Sequence, residues 1–138
     1  MRLDEKMKAM LAVQLPVQAT TGEDGMPDIG PKRSLRVYSD TALIYNENTG
    51  GRTLKNIRAG SKMAVAVTDR ENRDGYRFIC TPVISEDGEP YQNALDFAKN
   101  NGMQQPLCAV VLRIDEIYSL RPGGGCREKN SVKHNITP

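Results

Sequence analysis

Apolar and polar positions along this chain alternate mostly in short runs, and helical spacing is confined to three places. Leu3, Met7, Met10 and Leu11 fall at helical spacing and predict a short helix over residues 3–11. Residues 13–20 read as a strand with Pro16 at its start or on an edge. The Gly22-Glu-Asp-Gly25 turn follows, then a second extended run over residues 26–37, punctuated by Pro27, Gly30 and Pro31. Residues 41–46 form a third strand centred on Leu43, Ile44 and Tyr45. Leu54 and Ile57, three apart, predict a helix over residues 53–59, with Gly60 as its stop.

In the second half, Met63, Val65 and Val67 alternate cleanly with alanines over residues 62–68. A charged, turn-like stretch, residues 69–75, leads into a strand over residues 76–85. Pro90 suits the first turn of a helix whose stripe is Tyr91, Ala94, Leu95 and Ala98, ended by Gly102. Residues 107–120 form the longest strand, and the unbroken apolar run 107–112 predicts burial on both faces. The fold expected is mainly β with flanking α: about six antiparallel strands joined by hairpin turns, closed into a small barrel with short helices outside. Residues 122–138, with three consecutive glycines and few aliphatics, read as a flexible tail.

Composition narrows the function classes. At 138 residues the chain fits one domain with a real core. A net charge of +2, no Trp and 5% aromatics argue against a nucleic-acid surface or a base-stacking platform. No apolar run nears the ~20 residues of a membrane span, and the charged first ten residues lack a signal core, so a cytoplasmic location is expected. Cys80, Cys108 and Cys126 are odd in number and widely spaced, which disfavours disulfides and zinc and suits reduced thiols. His134 is the only histidine, so schemes needing a buried catalytic histidine have little support.

The chemistry concentrates where a strand end, a glycine pair, Arg52-Thr53 and a helix follow one another. Glycines let backbone N–H groups converge, a helix start carries unpaired N–H groups, Arg52 offers a fork of donors and Thr53 a hydroxyl: together a phosphate site. A plain strand–turn–helix link with Thr53 as cap is the commoner reading of such a pattern. Neither the triphosphate nor the dinucleotide glycine motif is present. Lys32, Arg33 and Arg36 form a second cationic group that could face a planar cofactor, although Arg36 reads better as a solvated strand position. Asn46, Glu47 and Asn48 are either ring contacts or turn formers. Asp69, Arg70, Glu71, Arg73 and Asp74 read as a solvated hairpin tip, and Cys126 as an incidental or a redox-sensitive thiol.

Four strings in this order give a family resemblance: Asp24-Gly-Met-Pro-Asp-Ile-Gly-Pro31, Leu43-Ile-Tyr-Asn-Glu-Asn-Thr-Gly-Gly-Arg-Thr53, Lys55-Asn-Ile-Arg-Ala-Gly-Ser-Lys-Met-Ala-Val-Ala-Val67 and Ala109-Val-Val-Leu-Arg-Ile-Asp-Glu-Ile-Tyr118. Over residues 3–121 the chain resembles the pyridoxamine 5'-phosphate oxidase-like family of FMN-binding split barrels. The resemblance implies a six-stranded split barrel, a homodimer, and FMN in a cleft between the subunits. It places the FMN phosphate at Arg52 and Thr53, next to Gly51 of the glycine pair, itself a cofactor-binding candidate. The ring edge falls to Lys32, Arg33, Ser34, Asn46, Glu47 and Asn48. It implies a flavoprotein passing electrons or hydride from a reduced nicotinamide to a small acceptor, or else a non-catalytic electron carrier or flavin store. A member that had exchanged FMN for a deazaflavin or haem is a third reading. True pyridoxamine phosphate oxidases grip substrate with a Trp-containing, Arg- and His-rich signature near the C-terminus. This chain lacks it, so the vitamin-pathway reaction is not expected.

Overall fold

The computed structural model describes residues 1–122 and 132–134. Eight strands and three helices follow in the order α1 (Glu5–Val13), β1 (Val17–Thr21), β2 (Pro27–Pro31), β3 (Arg36–Ser39), β4 (Ala42–Glu47), α2 (Arg52–Arg58), β5 (Met63–Asp69), β6 (Asp74–Ser85), α3 (Gly88–Asn100), β7 (Cys108–Ser119) and β8 (Val132–His134). The path β2-β1-β5-β6-β7-β4-β3 is antiparallel throughout, and β8 adds to β7 in parallel.

The expected six strands are therefore corrected to eight. The run 26–37 divides into β2 and β3 at a turn in which the Leu35 amide donates to the Lys32 carbonyl (3.2 Å). β8 lies in the glycine-rich tail; residues 123–131, with Cys126, and 135–138 lie outside the described residues. The first strand begins later than its pattern suggests. Helix α1 runs on through Val13, with the Gln14 amide bonded to the Met10 carbonyl (2.9 Å), and Pro16 offers no N–H, so pairing starts at Val17.

The strand order has a geometric consequence. A flat path of seven strands at ~4.8 Å spacing would hold its edges roughly 29 Å apart. Yet the edge strands β2 and β3 are joined by residues 32–35 alone, and the five steps from Pro31 to Arg36 span at most ~18 Å when extended. The sheet must curl until its edges nearly meet. They are not hydrogen-bonded into a ladder, so the barrel stays split along that seam.

Strand alternation fills the interior. Leu43 and Tyr45 of β4, Met63, Val65 and Val67 of β5, Phe78 of β6, and Val110 and Leu112 of β7 share one core with Met7, Met10 and Leu11 of α1. Alternate positions Ile44 and Ala109 face outward and are covered by Ala94 of α3. This is why residues 108–112 are apolar on both faces, while Leu107, ahead of β7, departs from the expected burial at 56% exposed. Asp4 caps α1 by accepting from the Met7 amide (2.8 Å). The β5–β6 tip differs from its solvated reading at one residue. Asp74 is buried, 8% exposed, and Lys6 Nζ of α1 lies 2.8 Å from its Oδ2. Cys80 and Cys108 are buried free thiols.

Candidate functional site

A cleft of about 170 Å³ opens on the seam. One wall is Gln18 of β1 with residues 28–32 of β2 and its turn; the other is Glu47, Thr49, Gly51, Arg52 and Thr53. The Gly22–Gly25 turn, with Gly25 at φ +82°, folds β2 back so that Gly30 pairs with Gln18. A second hollow beside it, lined by Gly22, Glu23, Asp24, Lys55, Asn56 and Ala59, shares Arg52. α2 is anchored beneath by Leu54 and Ile57 in the core and by Asn56 Nδ2 donating to Thr20 Oγ1 (3.1 Å).

Lys32, Glu47, Gly51, Arg52 and Thr53 meet in this cleft. Lys32 Nζ lies 5.1 Å over the Tyr45 ring, a cation–π contact. Glu47 is 2% exposed, and its Oε2 accepts from the Thr49 and Gly50 amides (3.2 and 2.9 Å) and the Thr49 hydroxyl (3.3 Å). It shapes the loop ahead of α2. Gly51 is the N-cap and supplies no side-chain cap, so Thr53 is not the cap residue. Its hydroxyl donates instead to Asp28 Oδ2 across the seam (3.0 Å). Arg52 is exposed, and among the described residues neither it nor Lys32 has a carboxylate within ion-pair distance.

The other four expected residues do not line the cleft. Arg33 is exposed at the turn. Ser34 is buried, and its Oγ accepts from the Asn46 amide (3.0 Å), pinning the β2–β3 turn to the end of β4. Asn46 lies one residue from Tyr45 and Glu47, so alternation turns it outward. There its Nδ2 donates to the Ala94 carbonyl (2.9 Å) and its Oδ1 accepts from Arg36 Nη1 (3.3 Å). Asn48 Oδ1 is buried without a partner.

Arg36 departs from its solvated reading. Its guanidinium stacks 3.8 Å from the Phe97 ring centroid and donates to the Ser34 carbonyl (2.7 Å) and Asn93 Oδ1 (2.6 Å). Burial pulls its pKa down to about 10. This arginine ties α3 to the sheet.

Gln18 and Asp28 are the cleft residues that the glycine-centred reading of the sequence passes over. Gln18 is 7% exposed, and its Oε1 has no hydrogen-bond partner. The Tyr45 hydroxyl, fully buried, neighbours the Gln18 side chain without a well-formed hydrogen bond, and burial drives its pKa far upward. The cleft thus offers two cations that lack a carboxylate partner among the described residues and a buried acceptor, suited to an anionic ligand that also carries an N–H or O–H donor. No group of three or more His, Cys, Asp or Glu able to hold a metal occurs among the described residues. No helix among them is long and apolar enough to cross a membrane.

A mainly β, curled antiparallel sheet with a polar cleft on its open seam defines a split-barrel protein. Residues 3–121 match the pyridoxamine 5'-phosphate oxidase family, and the chain belongs to this family. Among solved structures, HupZ of Group A Streptococcus is 38% identical, with 88% of this chain and 96% of that one covered and a TM-score of 0.83. An FMN-binding protein from Syntrophomonas wolfei shares the fold at 18% identity, with 84% of each chain covered and a TM-score of 0.72. An uncharacterised protein of Methanocaldococcus jannaschii is 29% identical over 126 residues, covering 88% of this chain and 83% of its own.

Proposed function

We propose that this protein binds FMN in the seam cleft, the phosphate held by Arg52 with Lys32 nearby, and that it works as an oxidoreductase of the cytoplasm. The observation that carries the reading is that Lys32 and Arg52, neither with a carboxylate partner among the described residues, share one cleft with the unsatisfied Gln18 Oε1. FMN carries a phosphate for the first and a ring N–H for the second. The family membership and an FMN-binding protein of the same fold support it. When bound, the flavin supplies hydride or single-electron exchange between a reduced nicotinamide and a small acceptor. The chain supplies placement: Glu47 fixes the loop, Ser34 fixes the turn, and Lys32 brings positive charge to the cleft.

One chain builds only part of such a site. The cleft, at about 170 Å³, falls short of the ~300 Å³ at which sites for small organic ligands begin. Ile29 on its lip is 72% exposed. Both features favour a homodimer whose second copy completes the pocket.

The deciding experiment is the absorption spectrum of the purified protein with mass identification of any released cofactor, followed by anaerobic titration with reduced nicotinamides. Flavin bands that bleach on titration are expected. Bands that no nicotinamide bleaches would replace the enzyme with a carrier or store. No bands, and no uptake of added FMN, would refute the flavin reading. Arg52→Ala should weaken FMN binding by about tenfold in a fluorescence titration, the worth of one charge-assisted contact; undiminished affinity would move the phosphate elsewhere.

A further inference from the structure

The polar group best placed to oppose a phosphate in this cleft is Asp28. Its carboxylate lines the cleft and accepts from Thr53 Oγ1 at 3.0 Å, so the hydroxyl read as a phosphate ligand is already engaged. The second carboxylate of the cleft, Glu47, is turned onto the Thr49 and Gly50 amides. Asp28 has no such sink. Lys32 is drawn to the Tyr45 ring, and Arg52 stands apart without a carboxylate partner. Among the described residues the charge of Asp28 is therefore not cancelled by an ion pair, and it lines the space a phosphate would enter.

We infer that Asp28 is a built-in counter-anion of this site, limiting its affinity for a terminal phosphate so that a phosphate-bearing ligand is captured reversibly. The inference rests on the phosphate reading of the same cleft. A dianion must displace Asp28 from Thr53 and approach a like charge, and both costs fall on the phosphate alone. A ligand with the same ring and no phosphate escapes them. The residue thus sets how firmly the phosphate end is held, not whether the ring is accepted.

Two variants separate charge from contact. Asp28→Asn keeps an oxygen that can accept from Thr53 and removes the charge; Asp28→Ala removes both and frees the hydroxyl. Each is titrated with FMN and with riboflavin by fluorescence, and with inorganic phosphate by the amide shifts of Gly51 and Thr53. Asp28→Asn should bind FMN and inorganic phosphate tighter by about tenfold and Asp28→Ala by more than that, with riboflavin changed by less than about twofold in either. Equal or weaker binding of FMN and phosphate would overturn the inference while leaving the flavin reading intact, and would make Asp28 the residue that positions Thr53. Tighter phosphate without FMN binding in any form would refute the flavin reading and uphold the role of Asp28. No response to either ligand in any form would refute both.

Discussion

Replacing Asp74 by Asn tests how α1 is held to the barrel. The Asp74 side chain is 6% exposed and that of Lys6 58%, so their 2.8 Å pair is buried at one end and wet at the other. Removing one partner from a fully buried pair costs about 3–5 kcal/mol, and an exposed pair contributes about 0–1. A half-buried pair falls between, at about 2 kcal/mol. For a chain of 138 residues that lowers the melting temperature by about 8 °C. Burial alone would raise the Asp74 pKa. The Lys6 contact, the Gly75 amide (2.8 Å) and Arg121 outweigh it, so the carboxyl titrates below its ordinary value. A depressed carboxyl contributes stability that is fully present above its unfolded value, ~4, and lost as pH falls through its folded value. Urea unfolding of wild type, D74N, K6M and the double variant should therefore give a coupling of about 1 kcal/mol at pH 7 that vanishes once the pH falls below the folded value of the Asp74 carboxyl. Equal stability of D74N and wild type at pH 7, or a deficit that ignores pH, would refute this account.

Three further outcomes follow from the geometry. Arg36→Lys should cost about 1–2 kcal/mol in urea unfolding, because an ammonium cannot both stack on Phe97 and reach Ser34 and Asn93. The Cys80 thiol, pushed up to about 12 by burial and Asp115, and the buried Cys108 should react with a thiol reagent only after unfolding, as mass mapping of modified peptides would read. Ile29→Glu, placing charge on the exposed cleft lip, should shift sedimentation toward the monomer and weaken FMN binding together; a change in one without the other would part the dimer from the site.

Period-two patterning made β5 and β7 legible because each position obeys a simple rule: β5 has the core on one face and a half-exposed surface on the other, and β7 lies between the core and α3. The division of β2 from β3 was not legible. Lys32-Arg-Ser-Leu35 has no glycine, and the turn is held by Ser34 bonding to Asn46, twelve residues further on. Arg52, Thr53 and Lys32 could be read as a group because the glycine pair flags their loop. Gln18 and Asp28 reach the cleft only through the β1–β2 hairpin, so their place depends on pairing register rather than on a local motif. Asn46 shows the reverse case: the alternation that sends Tyr45 and Glu47 inward already turns it away.

The seam itself has a consequence for assembly. β1–β2, β3–β4 and β5–β6 are sequence neighbours, whereas β1 must find β5 across at least forty-five residues and β4 must find β7 across more than sixty before both cleft walls exist. The pocket is then a closure that forms late, and Thr53 reaching Asp28 is its native clasp. Any molecule gripping both walls acts as a stitch through the whole barrel. Its free energy of binding is added to global stability and not to one loop, so unfolding in the presence of ligand measures how well the two rims are sewn together.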